Sequence, residues 1–251
     1  MLKPLVILPT YNEKDTLPVI LIKILSQEIF DILIIDDNSR DGTRDVARQW
    51  VMQDGRVNLI ERPSKLGLGT AYLTGFKWGI EKGYDCLIEM DSDLSHNPLD
   101  LPRFLDEMEK GSDLVIGSRY MFRKISVVGW DFKRLLMSKF GNFYASRILG
   151  MRLTDMTSGY RAFSRKALET IDMRGILSEG YAFQIEMAYH VAHAGLRATE
   201  IPIVFSERHT GTSKMSRRII REAVWLPWRL RLRELASIFS KPQMKKQGDA
   251  V

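Results

Sequence analysis

The strongest constraint on the fold is an alternation along the chain. Short, almost wholly apolar runs are separated by longer stretches with helical spacing. Residues 5–8, 32–35, 58–60, 86–90 and 114–116 read as strands. Residues 17–26, 43–53, 70–82 and 99–110 read as the helices between them. Strands without a polar face are buried on both sides, which predicts a mostly parallel sheet with helices on both faces. A Rossmann-like α/β architecture is therefore expected, with another strand over residues 198–205.

Composition narrows the field. Of 251 residues, 45% are hydrophobic and 27% are charged, which excludes disorder and fibrous classes for the whole chain. Cys86 is the only cysteine, so no intramolecular disulfide or thiolate metal cluster can form. Within Cys86-Leu87-Ile88 it reads as a buried strand residue. No run approaches the ~18 uninterrupted apolar residues of a membrane span. Pro4, Pro9, Asn12 and Glu13 argue against an N-terminal signal peptide. A cytoplasmic protein is expected, divided into a catalytic α/β domain (1–213), a basic amphipathic segment (214–240) and a flexible tail (241–251).

Ligands of such sheets bind beyond the carboxyl ends of the strands. Pro9-Thr10-Tyr11-Asn12-Glu13 follows the first strand, Asp36-Asp37-Asn38-Ser39 the second, Asp91-Ser92-Asp93 the fourth and Gly117-Ser118-Arg119 the fifth. Carboxylates thus gather on one edge, where a cation or cationic ligand would relieve their repulsion. Asp91 and Asp93, one small residue apart, can both turn toward a hard divalent cation such as Mg²⁺ or Mn²⁺. Asp37 suits hydrogen bonds from a nucleobase or ribose, although Asp36-Asp37 also reads as a helix-capping turn before Thr43. Gly67-Leu68-Gly69 is an incomplete dinucleotide fingerprint after the wrong strand, and reads as a tight loop.

Arg134, Ser138 and Asn142 recur at fourfold spacing and share one helix face. Arg208 and Lys214 flank Gly211 in a loop able to meet a pyrophosphate, and equally readable as a solvated basic loop. Beyond it, Arg217, Arg218, Arg221, Arg229, Arg231 and Arg233 interleave with Trp225, Trp228, Leu230 and Leu232. Pro227 is expected to break or kink a helix there.

The segments Ile7-Leu8-Pro9-Thr10-Tyr11-Asn12-Glu13, Asp36-Asp37-Asn38-Ser39 and Asp91-Ser92-Asp93-Leu94-Ser95-His96 resemble glycosyltransferase family 2. Gly117-Ser118-Arg119-Tyr120, Asp155-Met156-Thr157-Ser158-Gly159-Tyr160-Arg161, Glu179-Gly180-Tyr181 and Arg208-His209-Thr210-Gly211-Thr212-Ser213-Lys214 look like the dolichyl-phosphate or polyprenyl-phosphate mannose synthases within it. The resemblance implies a GT-A fold and inverting, metal-dependent transfer of mannose from GDP-mannose to dolichyl or polyprenyl phosphate. It implies guanosine contacts from Pro9, Tyr11, Glu13, Ile35 and Asp37, and a Mg²⁺ or Mn²⁺ site at Asp91 and Asp93, with Ser92 against the donor. Arg119, Arg208 and Lys214 are implied as donor contacts, and Arg134 and Ser138 as the acceptor-phosphate cradle. Asp93, Arg134, Arg208 and Lys214 are the implied catalytic set. Relatives usually carry paired glycines shortly before the tryptophan, whereas this chain has Val127-Val128-Gly129-Trp130.

A lipid acceptor also implies peripheral contact with the cytoplasmic face of a membrane, through C-terminal amphipathic helices. It leaves room for a small membrane subunit. The nearest rival is a polyprenyl-phosphate glucosyltransferase using UDP-glucose. A net charge of +6 would admit nucleic-acid binding, but no such motif is present and no nucleic-acid partner is expected. A catalytically dead scaffold has no need of the repulsive Asp91/Asp93 pair.

Overall fold

The computed structural model describes residues 2–176, 178–207 and 217–240. Arg208, Lys214 and the 241–251 tail lie outside them.

The chain alternates β1 (Pro4–Thr10), α1 (Leu17–Leu25), β2 (Asp31–Asp36), α2 (Thr43–Gln53), β3 (Val57–Glu61), α3 (Leu68–Glu81) and β4 (Cys86–Glu89). It continues through α4 (Leu101–Glu109), β5 (Leu114–Ser118), β6 (Val127–Val128), α5 (Phe132–Leu149), β7 (Arg161–Ser164) and α6 (Arg165–Thr170). It ends with α7 (Gly180–His193), β8 (Ala198–Pro202), β9 (Phe205–Ser206) and α8 (Arg217–Ser240). The main sheet has strand order β3-β2-β1-β4-β7-β5-β8. All its pairings are parallel except those of β7, which runs antiparallel between β4 and β5. The predicted mostly parallel α/β sheet is thus observed.

Because side chains alternate along a strand, each strand feeds both faces. Leu5, Ile7, Leu33 and Ile35 pack with Tyr72, Phe76 and the residues of α7. Val6, Leu8, Ile32 and Ile34 pack on the other face with Leu21, Ile24 and Phe104. Cys86 belongs to the second layer and is fully buried; burial raises its thiol pKa, so it stays protonated.

Two features depart from the sequence reading. The predicted 198–205 strand is split: β8 joins the main sheet, while β9 pairs with β6 in a separate ribbon. The helix α8 also continues through Pro227 without the break that is one of the two outcomes expected there. Leu226 and Leu230, on either side of the proline, are buried against the body of the protein. The Tyr144 hydroxyl donates to the Val224 carbonyl at 2.8 Å and accepts from Trp228 Nε1 at 2.8 Å, which ties α8 to α5 on both sides of the proline. Packing outweighs the local proline penalty.

The approach of α3 to the sheet depends on Gly75. A Cβ there would lie 2.7 Å from Ile7 Cγ2 and 3.1 Å from Ile35 Cδ1. Ile7 is β-branched and fixed in a central strand, so it cannot rotate away cheaply. Gly75→Ala should destabilise the fold by about 1–2 kcal/mol in denaturant titrations, because overpacking exceeds the helix-propensity gain of about 1 kcal/mol. An unchanged or higher midpoint would contradict this packing.

Candidate active site

The carboxyl ends of β1, β2, β4 and β5 share one edge of the sheet. Antiparallel β7 brings its amino end to that same edge, since Arg161 pairs with Glu89 and Ile116. A cavity of about 400 Å³ opens there, lined by residues from all these strand ends.

At the second strand end the two aspartates differ, and the capping expected at Thr43 is not seen: α2 starts after Gly42 with no side-chain cap. Asp36 is fully buried and accepts from Thr10 Oγ1 at 2.9 Å, Ser39 N at 2.9 Å and Ser39 Oγ at 2.6 Å. It is the structural turn. Asp37 lines the cavity and pairs with the nearly buried Arg62, which also donates to Thr70 Oγ1 at 2.8 Å and the Gly67 carbonyl at 2.9 Å. Asn12 and Asn38 both take left-handed φ near 60°, which asparagine tolerates, and Asn12 Oδ1 accepts from Arg40 N at 3.0 Å. Pro9, Tyr11 and Glu13 therefore lie beside Asp37 on the cavity wall, with Lys65 Nζ 4.1 Å from the Tyr11 ring centre.

The fourth strand end carries the carboxylate pair. Asp91 and Asp93 both line the cavity, and Ser92 Oγ ties the turn to the Pro9 carbonyl at 2.9 Å. Asp93 Oδ1 accepts from Ser95 N at 3.0 Å. Leu94, between them, sits at φ 66°, a left-handed conformation costing about 1–2 kcal/mol for such a residue. The Asp91 N–H donates to His96 Nδ1 at 3.1 Å, so Nδ1 is unprotonated there and the neutral ring carries its hydrogen on Nε2. Tyr160 stacks on the ring at 4.7 Å. Beneath the pair, burial and the charges of Asp91, Glu89 and Asp93 push the Tyr72 phenol well above its ordinary range, so it stays protonated.

The residues present suit a hard cation. Ser95 Oγ is buried beside Asp93 without a hydrogen-bond partner among the described residues. No third His, Cys, Asp or Glu joins the pair in a metal-suited cluster among the described residues. One or two carboxylates completed by hydroxyl, water and substrate phosphate oxygens is the usual way Mg²⁺ is held.

The opposite wall is cationic and aromatic. Arg119 is almost fully buried; Asp155 accepts from its Nε and Nη2, both at 2.7 Å, and Thr157 Oγ1 accepts from Nη2 at 2.9 Å. Asp155 is held below the usual carboxylate range: burial opposes ionisation, and Arg119 more than offsets it. Arg134 lines the cavity with its guanidinium 4.2 Å from the Trp130 ring centre and Nη1 2.9 Å from Glu207 Oε1.

Pro9, Tyr11, Glu13, Asp37, Asp91, Ser92, Asp93, Arg119 and Arg134 thus meet around one cavity. Ile35 does not join them; its side chain is fully buried in the core facing α3. Ser138 does not line the cavity either, and shares a 2.7 Å hydrogen bond with the Tyr120 hydroxyl. Asn142 is buried, and its Oδ1 accepts from Thr157 N at 3.1 Å. The sequence reading missed Arg62 and gave no individual role to Ser95, His96 or Asp155, which it held only as members of the family-like motifs. Arg62 stands directly after β3, the one early strand end left unread, and the same rule would have found it.

The comparisons agree with this geometry. Residues 5–172 match the family model described as glycosyl transferase family 2. The chain is 45% identical over 225 residues to a polyprenol monophosphomannose synthase of Mycolicibacterium smegmatis, covering 89% of this chain and 84% of that one. It is 45% identical over 224 residues to an undecaprenyl-phosphate mannosyltransferase of Micrococcus luteus, covering 89% and 91%. In fold it is similar to the glucosyl-3-phosphoglycerate synthase of Mycobacterium tuberculosis solved with Mn²⁺, UDP-glucose and phosphoglyceric acid, with TM-score 0.66 and 20% identity, covering 90% of this chain and 80% of that one. A GT-A-like sheet, a carboxylate pair at the end of its fourth strand and these relatives lead to one assignment: the chain belongs to glycosyl transferase family 2 and is a glycosyltransferase.

Proposed function

We propose that the protein transfers mannose, with inversion, from GDP-mannose to a polyprenyl phosphate at a membrane surface. The observation that carries this reading is the two-sidedness of α5. Arg134 reaches the cavity from one face of the helix. On the other, Phe132, Leu136, Phe140 and Phe143 recur at helical spacing and are 76%, 59%, 66% and 67% exposed. An acceptor with an anionic head and an apolar chain fits that division. Both relatives named above carry polyprenol or undecaprenyl phosphate chemistry in their names, which supports the same acceptor class.

On this reading Tyr11, Glu13 and Asp37 receive the guanosine. Asp91 and Asp93 would hold Mg²⁺ or Mn²⁺, which supplies positive charge to the leaving diphosphate when bound. Arg134 aligns the acceptor phosphate; a guanidinium has five N–H donors, and Glu207 engages it through one nitrogen. Arg119, held rigid by Asp155, would supply fixed N–H donors to the cavity. Arg208 and Lys214 are proposed as further diphosphate contacts. A phosphate monoester has a second pKa of about 6, so the acceptor is already a dianionic nucleophile and needs no protein base. Its oxygen attacks the anomeric carbon as the bond to the diphosphate breaks, and GDP leaves with the electron pair. Positioning and charge stabilisation are the enzyme's work.

The test is transfer of radiolabelled sugar to polyprenyl phosphate in detergent, with GDP-mannose and UDP-glucose in parallel. Chloroform-extractable label from GDP-mannose, removed by EDTA, is expected. Asp93→Ala should lose at least about a hundredfold in rate while unfolding at a similar denaturant concentration. Label from UDP-glucose alone would reassign the donor, and near-normal turnover by Asp93→Ala would remove the metal assignment.

Among the described residues no helix is long and apolar enough to cross a membrane. Lys133, Lys139 and Arg147 flank the α5 stripe, and Trp225, Trp228 and Leu232 add exposed apolar surface on α8, which packs beside α5. Interfacial docking on an anionic leaflet is the proposed outcome, each basic residue near the surface contributing about 1 kcal/mol. The Phe140→Ser/Phe143→Ser double variant should lose most of its co-sedimentation with phosphatidylglycerol vesicles. Unaltered sedimentation would leave α5 outside the interface.

A further inference from the structure

The helix α8 does more than cover α5 and α7. Glu222 Oε1 accepts from the backbone N–H of Glu179 at 3.2 Å. The Glu179 carboxylate itself reaches α3: Oε2 accepts from Gly69 N at 3.2 Å and lies against Gly67. A Cβ on Gly67 would come 2.4 Å from that oxygen, and its φ of 102° already disfavours any other residue. The Gly67 carbonyl accepts from Arg62, and Arg62 holds Asp37. A second strut runs alongside. Arg229 lies 3.8 Å from one Glu186 oxygen, the other accepts from Ser178 Oγ, and the Ser178 carbonyl abuts Gly69.

Glu179, Gly67 and Asp37 line the cavity, whereas Glu222 does not. We propose that Glu222 is a positioning residue for the nucleotide-sugar site. From α8 it holds Glu179, and through Glu179 the start of α3 at Gly67–Gly69 and, behind it, the Arg62 that pairs with Asp37 of the cavity wall. The assignment rests on the reading that this cavity takes the donor. The same helix exposes Trp225 and Trp228, so the element proposed to meet the membrane also braces the donor wall.

The test compares the full-length protein with Glu222→Ala and Glu222→Gln; glutamine keeps the acceptor oxygen and removes the charge. In hydrogen–deuterium exchange, peptides covering residues 66–70 and 178–183 should exchange several-fold faster in Glu222→Ala, return toward wild type in Glu222→Gln, and leave β1 and β4 unaltered. In turnover, KM for GDP-mannose should rise about fivefold in Glu222→Ala with kcat within twofold, the effect of one lost hydrogen bond, and Gln should restore it. Unaltered exchange at 66–70 in Glu222→Ala, or a Gln variant indistinguishable from Ala, would overturn the assignment. Exchange needs no ligand, so it decides this point even where GDP-mannose proves not to be the donor. Should Glu222→Ala fail to fold, Glu222→Asp, too short to reach the Glu179 N–H, is read in the same two segments with the same outcomes deciding.

Discussion

One buried guanidinium holds the site together. Arg161 opens β7 in the middle of the sheet with no exposed surface, and its nitrogens donate to the carbonyls of Ser158 at 2.7 Å, Gln184 at 2.6 Å and Met156 at 2.7 Å. Burying a charge is costly unless every donor is met, so these bonds fix the 156–158 loop and the first turns of α7 against the end of β4. Burial lowers the Arg161 pKa, opposed by Glu89 and Asp155; burial raises Glu89, opposed by Arg161 and by the 2.7 Å bond from Gln184 Nε2. The cross-strand pairing of Glu89 with Arg161 thus sits two residues below Asp91. Loosening it would disturb the carboxylate pair and the loop that carries Thr157, Ser158 and Gly159 into the cavity.

Much of this was legible in the chain. The apolar runs located the parallel strands because a strand covered on both faces has no polar side to disguise it. The strand-end rule located Tyr11, Asp37, Asp91 and Asp93 because topology alone brings those ends together. β7 was harder. Arg161-Ala162-Phe163-Ser164 begins with a charge and is short, and only the tertiary partners of Arg161 make a buried strand of it. The pairing of Asp155 was hidden for a similar reason: the residue stands in a family-like motif, but Arg119, which defines its role, lies 36 residues away. Ile35 shows the converse. A residue can stand beside a site in sequence and still face the core, because side chains alternate along a strand.

The cavity has two characters. Toward β1, β2 and β4 it offers carboxylates and one stacked Tyr11–Lys65 pair, suited to a nucleoside and a cation. Toward β6, β9 and α5 it offers Trp130, Phe205, Arg119 and Arg134, suited to an anion arriving over an apolar surface. On the proposed reading, that asymmetry would set donor and acceptor at opposite ends of one cavity.

The most direct test is anomalous diffraction from crystals of the protein grown with GDP and Mn²⁺. The account predicts a manganese peak bonded to Asp91 or Asp93, with diphosphate oxygens completing its shell and the guanine toward Asp37. Manganese and nucleotide bound elsewhere, or a nucleotide whose base points toward Trp130, would contradict it.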